Sequence, residues 1–181
     1  MPLADAPDLD ELTTVRAMIA GEPEAFAALF HQFHPMIFAF AYRLCLDATH
    51  AQDLAQETFI KVARALPTFR PDAPIRCWLF QICANTVRDW QRREGRQRRL
   101  GEAAQAHAEL ARTERAADFE EARAALATLP PDLREAVVLV FFEDMSHRDA
   151  ARVLGCAETT VSWRIFTAKR KLKTLLTRNG Q

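Results

Sequence analysis

Apolar residues recur three and four positions apart along most of this chain, and that spacing is the strongest constraint on its fold. It places apolar side chains on one face of an α-helix, whereas a half-buried strand would alternate them with a period of two. No such alternation occurs, and glycine, which weakens helices, accounts for only 5 of the 181 residues. The sequence therefore predicts an all-α protein.

The first two predicted helices cover residues 22–46 and 49–66. Pro35 lies inside the first and is expected to divide or kink it, because proline lacks the N–H that a helix interior needs. In the second helix, Thr49 is the expected N-cap and Pro67 the expected stop. The apolar stripe of the first helix is too wide for an isolated surface helix, so we expect it to pack against others.

A third predicted helix begins at Ile75 or Arg76, after the proline-containing loop TFRPDAP, and becomes more basic toward its end. Its aromatic residues Trp78 and Phe80 are interpreted as core. Residues 94–121 then change in composition, because Arg, Glu, Ala and Gln dominate and large apolar side chains become rare. We interpret this stretch as a mobile or loosely helical linker between two domains.

Helix boundaries are well marked in the last third of the chain. Pro131 suits the first position of a helix, and Asp132 with Glu135 resembles a capping box. Ser146 is the expected N-cap of a short helix that Gly155 ends. A long final helix is predicted from about residue 158 to residue 176.

The spacing of Ala151, Gly155 and Val161 is typical of a helix-turn-helix. Two helices that cross closely need a small residue, the turn needs positive φ, and an aliphatic residue completes the core. The second helix would enter a DNA major groove through its first turns. The candidates for DNA contact are Thr159, Thr160, Ser162, Trp163 and Arg164, with Lys169 and Arg170 holding phosphate. A plain helical hairpin with a solvated basic face is the alternative.

The formal net charge is zero, but the charges are unevenly distributed. Residues 1–24 are mostly acidic, whereas basic side chains cluster in residues 88–99 and 164–178. A local positive field attracts phosphate whatever the net charge. The first basic stretch interleaves amide, cationic and aromatic groups, which suits single-stranded DNA, although charged helix ends are often merely solvated. These residues are Asn85, Arg88, Trp90, Arg92 and Arg93.

The remaining features are less specific. Four cysteines occur without the C-x-x-C spacing of metal sites and are interpreted as small apolar residues: Cys45, Cys77, Cys83 and Cys156. A metal site that combines His31, His34 and a cysteine is a weaker alternative. No stretch approaches the ~20 apolar residues of a membrane span, and the acidic start lacks a secretory signal. We therefore expect a cytoplasmic protein without direct membrane insertion.

Together these patterns resemble the extracytoplasmic-function (ECF, group IV) sigma factors of the main bacterial sigma superfamily. AQDLAQETFIKVARALPTF is similar to the core-binding stretch of that family, and WLFQICANTVRDWQRR is similar to its −10-recognition helix. LATLPPDLREAVVLVFFEDMSHRDAARVLGCAETTVSWRIFTAKRKL resembles its −35-binding domain. The three blocks occur in the family's order and cover nearly the whole chain.

The resemblance implies a sigma region 2 domain over residues 1–94, a flexible linker over 95–121 and a sigma region 4 domain over 122–181. Such a protein binds RNA polymerase core, through the coiled coil of the largest subunit and the flap, and recognises and helps melt promoter DNA. It has no cofactor and no catalytic activity, and an anti-sigma factor is the expected inhibitory partner.

The resemblance also assigns residues to each contact. The core-binding set is Asp53, Leu54, Gln56, Glu57, Phe59 and Ile60. The −10 set is Phe69, Ile75, Arg76, Asn85, Arg88 and Arg92. In the −35 helix, Ser162 occupies a position where relatives often have lysine, and Trp163 is unusually large for a surface that faces DNA. Before the −10 helix, Ile75 stands where several relatives have an aromatic residue.

Two other classes of protein are alternatives to a sigma factor. A helix-turn-helix regulator that binds duplex operators would explain the last third of the chain but would leave residues 50–93 without a role. An enzyme is disfavoured because the sequence contains no glycine-rich phosphate loop, no nucleophile elbow and no His/Asp/Glu cluster with metal spacing.

Overall fold

The computed structural model describes Ala17 and residues 22–70, 74–99 and 114–179, with side chains described over 22–70, 74–95 and 121–174. The acidic start of the chain and residues 100–113 of the predicted linker lie outside this part. All regular structure within it is helical, so the all-α prediction is confirmed. No helix in these ranges is both long enough and apolar enough to cross a membrane.

The helices fall into two groups that correspond to the two expected domains. The first domain contains α1 (Pro23–Cys45), α2 (Ala48–Ala65), a 3₁₀ turn (Leu66–Thr68) and α3 (Ile75–Arg99). The second contains α4 (Glu114–Ala127), α5 (Pro131–Val137), a π-helical turn (Val138–Phe142), α6 (His147–Leu154) and α7 (Glu158–Asn179).

Pro35 does not divide the first helix, because α1 continues through it to Cys45. Proline removes one hydrogen bond to the carbonyl four residues earlier, which belongs to His31. Both residues are exposed, so that carbonyl lies on the solvent side of the helix rather than in the core. The lost bond is therefore tolerated at this position.

The N-cap of α2 is Asp47 rather than the predicted Thr49. The Asp47 carboxylate accepts a hydrogen bond from the backbone N–H of His50 at 2.8 Å. This bond satisfies one of the amide groups that a helix leaves unpaired in its first turn. The predicted stop at Pro67 is confirmed, since α2 ends at Ala65 and tightens into the 3₁₀ turn.

The first domain is a three-helix packing in which α1 contacts both α2 and α3. Phe40 of α1 and Phe80 of α3 are fully buried and meet edge to face, with 4.8 Å between ring centroids. Trp78 is only half-buried and lies against Phe69, at a centroid distance of 4.7 Å. The core interpretation is therefore confirmed for Phe80 and only partly for Trp78.

The predicted helix-turn-helix is present in α6 and α7. Ser146 caps α6 by accepting a hydrogen bond from the backbone N–H of Asp149 at 3.0 Å. Gly155 ends α6 in the left-handed region with φ +64°, and Val161 of α7 is fully buried. Ala151 is buried as well, so all three residues of the predicted spacing occupy the places that the motif requires.

The predicted capping box of α5 is absent. Pro130 is the N-cap and Pro131 the first helical residue, so Pro131 is placed as expected. Because the cap falls at Pro130, Asp132 and Glu135 are not in the reciprocal positions of a capping box. Glu135 instead points to the first domain and accepts hydrogen bonds from Arg88.

The two domains pack closely against each other. Helix α3 contacts α6, and α1 contacts α5 and the π-helical turn. Arg134 of α5 donates to the Leu44 carbonyl at the end of α1 (2.8 Å) and to the Leu126 carbonyl at the end of α4 (2.8 Å). Burial lowers the pKa of Arg134. The Leu44 carbonyl lies in the last turn of α1, where donors from the helix itself run out, and the Leu126 carbonyl also accepts from the Leu129 N–H at 3.1 Å. One guanidinium therefore joins the ends of two helices in different domains.

Two glycine substitutions should have opposite effects on stability. A Cβ at Gly155 would meet nothing within 4 Å, but its positive φ strains an L-residue, so Gly155→Ala should lower the free energy of unfolding by about 1 kcal/mol. Gly95→Ala, at an exposed and uncrowded position inside α3, should raise it by about 1 kcal/mol. Urea denaturation checks both variants, and a loss of stability at both positions would contradict this account.

Candidate nucleic-acid interface

One face of α7 is exposed and carries most of the predicted −35 residues. Thr159, Ser162 and Trp163 are exposed, and Trp163 has an exposed fraction of 58%. Phe166, one turn further on, is 61% exposed. The opposite face holds the helix in its domain through the buried side chains of Val161, Ile165 and Ala168. The second helix of the motif therefore presents a continuous outward surface, and Thr160 lies half-buried at its edge.

Ser162 is held in place by a contact that the sequence analysis missed. Its hydroxyl lies 2.9 Å from Nδ1 of His147, at the start of α6, and donates to the Glu158 carbonyl at 3.2 Å. The contact with His147 joins the two helices of the motif on their outward side, whereas the bond to Glu158 lies within α7. A histidine immediately after the Ser146 cap is the only signal in the sequence that could have indicated this pair.

Arg164 does not lie on the exposed face with Ser162 and Trp163. It is half-buried, and its Nε is 3.9 Å from a carboxylate oxygen of Asp132 in α5. Lys169 and Arg170 are exposed, and their cationic groups lie 5.1 Å and 5.9 Å from the rings of Phe141 and Phe166. Both are within the range of cation–π contacts. Cationic and aromatic groups thus alternate along this surface.

Among the predicted −10 residues, Asn85 and Arg88 lie together on α3. The Arg88 guanidinium donates to the Asn85 side-chain oxygen at 3.0 Å. It also donates from Nε and Nη2 to the two carboxylate oxygens of Glu135, at 2.8 and 2.7 Å. These hydrogen bonds raise the pKa of Arg88. Arg88 is therefore engaged by the second domain in a two-point ion pair.

Arg76, another −10 candidate, is engaged at a second place on the same interface. It donates to the backbone carbonyl of Glu143, and its Nη2 lies 3.9 Å from the Glu143 carboxylate. Arg43 of α1 pairs with that carboxylate at 3.1 Å. Burial raises the pKa of Glu143, while the charges of Arg43 and Arg76 act against the shift. Two cations of the first domain thus surround one buried acid of the second.

The other −10 candidates do not gather into one site. Ile75 is buried and Phe69 is half-buried against Trp78, so neither presents a free side chain. Arg92 is 72% exposed and forms an ion pair with Asp89. The hydrogen bond from Arg92 lowers the pKa of Asp89. Residues 71–73 of the preceding loop lie outside the described residues.

The predicted core-binding residues of α2 divide between two faces. Leu54 and Phe59 are buried in the core of the first domain. The others recur with helical spacing on the outer face, where Ile60 is 52% exposed and Glu57 pairs with Lys61 at 2.9 Å. Together, Asp53, Gln56, Glu57 and Ile60 form what we call the α2 surface, an acidic patch around one exposed apolar side chain.

The cysteines have the properties of core residues. Cys77 and Cys83 are buried, whereas Cys45 and Cys156 are half-buried. Burial raises the pKa of Cys45 to about 11 and that of Cys83 to about 12, so neither forms a reactive thiolate near neutral pH. In the part of the chain that the structure describes, no three His, Cys, Asp or Glu residues lie close enough to hold a metal ion.

Family models match both domains. The Sigma-70 region 2 family matches residues 29–97, and the Sigma-70 region 4 family matches residues 119–172. The ECF RNA polymerase sigma factor EcfG of Rhodopseudomonas palustris is 37% identical over 150 residues, which cover 81% of this chain and 82% of the relative. The chain belongs to the ECF sigma factors of RNA polymerase. Its two helical domains are sigma regions 2 and 4.

Solved structures of sigma factors have the same arrangement of helices. The structure of CnrH in complex with the cytosolic domain of CnrY aligns with a TM-score of 0.74 at 28% identity, over 93% of this chain and 97% of that one. The complex of the sigma factor RpoE with the anti-sigma factor NepR from Bartonella quintana aligns with a TM-score of 0.69 at 29% identity. That alignment covers 84% of this sigma factor and 96% of the other chain.

The acidic residues between the domains were missed by the sequence analysis. Glu135 and Glu143 are almost fully buried, yet they occur at either end of the apolar run AVVLVFF. Carboxylates that border a buried run need partners, because burial of an unpaired charge is costly. That position was the only available signal, and it does not identify the arginines that pair with them.

The burial of Glu143 predicts a pH effect on stability. Its folded pKa is raised, so the native state holds the proton to higher pH than the unfolded state does. As pH rises from the ordinary carboxyl range through the raised pKa, wild type should lose unfolding free energy relative to Glu143→Gln. Denaturation of both proteins at matched pH values checks this. A difference that stays flat or grows with pH would mean that Arg43 and Arg76 outweigh burial.

Proposed function

We propose that this sigma factor binds RNA polymerase core and directs it to promoters through two DNA contacts, one in each domain. The observation that carries the proposal is that one chain combines the exposed face of α7, which a helix-turn-helix presents to the major groove, with the exposed α2 surface of a region 2 domain. The domain limits that we propose are residues 1–94 and 122–181, joined by residues 95–121. The protein would act in the cytoplasm with polymerase, without catalytic activity of its own.

The −35 contact is assigned to the exposed face of α7. Thr159, Ser162 and Trp163 would meet base edges, and an exposed indole suits apolar contact with a thymine methyl group. Lys169 and Arg170 would neutralise phosphates, which position the protein without selecting sequence. Arg164 would reach a phosphate only by leaving Asp132, at the edge of this surface.

The −10 contact is assigned to α3 and the loop before it. Asn85 and Arg88 lie side by side, and Arg92 is free to reach solvent phosphates after leaving Asp89. Arg76 lies at the start of the same helix. Cationic and amide groups along one helix support binding of opened DNA, where phosphates and unstacked bases are both accessible.

The core-polymerase contact is assigned to the α2 surface, and the second domain would bind the flap. Ile60 supplies an exposed apolar group, and the acidic and amide groups around it supply a polar rim, as at many protein interfaces. Leu54 and Phe59 would act indirectly, by packing α2 against the rest of the domain.

An anti-sigma factor is the proposed inhibitory partner. CnrH is in complex with the cytosolic domain of CnrY, and RpoE is in complex with the anti-sigma factor NepR. This chain has the same overall arrangement of both domains as the CnrH chain. We call the form in which the two domains pack against each other the closed arrangement, and we propose that such a partner would hold this form.

In-vitro transcription on fragmented genomic DNA tests the proposal. Purified core polymerase with this protein should start transcripts at defined sites, and either component alone should not. An operator-binding regulator is the competing function, favoured only by the helix-turn-helix. Tight duplex binding by the protein alone, with no new transcription starts, would support the regulator and overturn the sigma role.

Two substitutions should separate the polymerase contact from the DNA contact. Ile60→Asp places a charge at the centre of the α2 surface and should weaken core binding by about tenfold. Trp163→Ala should leave core affinity unchanged and reduce transcription from promoters with a −35 element by about tenfold. Each variant is the control for the other, and thermal unfolding confirms that both fold. Equal loss of core affinity in the two variants would contradict the assignment.

A further inference from the structure

We propose that the second domain competes with nucleic acid for the first domain, because its buried glutamates occupy the cations that would bind the −10 element. This inference rests on the proposed −10 role of Arg88 and Arg76. It adds that the chain itself, without any partner, masks these residues in the closed arrangement. We call the Arg88–Glu135 pair and the Arg43–Arg76–Glu143 group the interdomain clasp.

The geometry of the first pair explains the competition. Nε and Nη2 of Arg88 each donate to a different oxygen of Glu135. A phosphate uses two oxygens in the same way when it binds a guanidinium side-on. The third donor group, Nη1, is held by Asn85. The carboxylate therefore occupies the side-on edge of Arg88, which a DNA phosphate would use for a two-point contact.

The second group has the same arrangement at the other end of the interface. Glu143 is 5% exposed and receives Arg76 and Arg43 from the first domain. Arg43 also lies over the ring of Phe142, at 4.8 Å from its centroid. Arg76 lies over the ring of Phe80, at 5.6 Å. Arg76 is thus held on one side by its own domain and on the other by the second domain.

Masking of this kind lowers the apparent affinity for DNA. The binding-competent state is the open one, so the apparent dissociation constant rises as the open fraction falls. A carboxylate and a phosphate cannot share the same edge of Arg88, which makes opening and −10 binding a single coupled step. Loss of charge at the two glutamates should then increase DNA binding, although no DNA-binding residue is altered.

Small-angle X-ray scattering of the free full-length chain tests whether the clasp holds the domains together. Glu135→Lys sets two cations against each other and should increase the radius of gyration relative to wild type. The double variant Arg88→Glu with Glu135→Lys restores opposite charges and should return the radius toward the wild-type value. Circular dichroism verifies helix content. An unchanged radius in folded Glu135→Lys, or no return in the double variant, would overturn the clasp.

DNA binding tests whether the clasp masks the first domain. The probe is a fluorescein-labelled single-stranded 20-mer of random sequence, followed by anisotropy. The variant with Glu135→Gln and Glu143→Gln should bind it about threefold more tightly than wild type, or better. The matched control replaces two exposed acids outside the clasp, Glu121→Gln in α4 and Asp144→Asn. Asparagine tolerates the positive φ of residue 144.

The outcomes separate this inference from the proposed function. Equal affinity gains in the variant and its charge-matched control would mean a general charge effect and would overturn the masking. Neither the scattering nor the anisotropy measurement uses polymerase. A protein that opens and binds DNA as expected, yet fails to direct transcription, would retain the clasp and lose the sigma role. A protein that directs transcription, but whose radius of gyration and DNA affinity do not respond to the glutamate substitutions, would retain the sigma role and lose the clasp.

Discussion

Helix α3 packs against both domains, and the arrangement of the two domains depends on these contacts. One side of it completes the core of the first domain with α1 and α2, and another side contacts α6 of the second domain. Small domains bury a smaller share of their surface than large ones do, so packing against a neighbour adds to the buried core. The buried residues of both domains accordingly form one contiguous cluster. The −10 candidates on α3 therefore lie close to the second domain, because α3 itself forms part of the interface.

The interface between the domains adds buried charges to its apolar packing. Arg134 joins two helix ends through carbonyls, and Glu135 and Glu143 are buried against arginines. Buried ion pairs add little net stability, because desolvation of the charges offsets most of their attraction. An apolar surface of the same area would hold the domains more firmly but would open less readily to a charged competitor. Charge at this interface thus fits the proposal that the domains separate when the first domain binds DNA.

Local sequence patterns predicted the helices well because helix formation depends on nearby residues. Ser146, Gly155 and Val161 occupy the places that their spacing indicated. The errors arose where a distant contact determined the outcome. Glu135 fits a capping box by spacing, but its partner is Arg88, 47 residues away in the sequence. Likewise, helical periodicity indicates which core-binding candidates form the α2 surface. Nothing local to α3 indicates that the second domain covers Arg76 and Arg88.

The π-helical turn sets which side chains face the first domain. This turn contains one residue more than an α-helical turn, because the Glu143 N–H donates to the Val138 carbonyl, five positions earlier, at 3.1 Å. An uninterrupted α-helix would pair residue 142 with that carbonyl and would advance every later side chain by about 100°. Phe142 is exposed and Glu143 is buried because of this offset. The π-helical turn thus changes the register of the side chains. The helix before it has an apolar face toward the first domain, and Glu143 after it places a carboxylate on the same side.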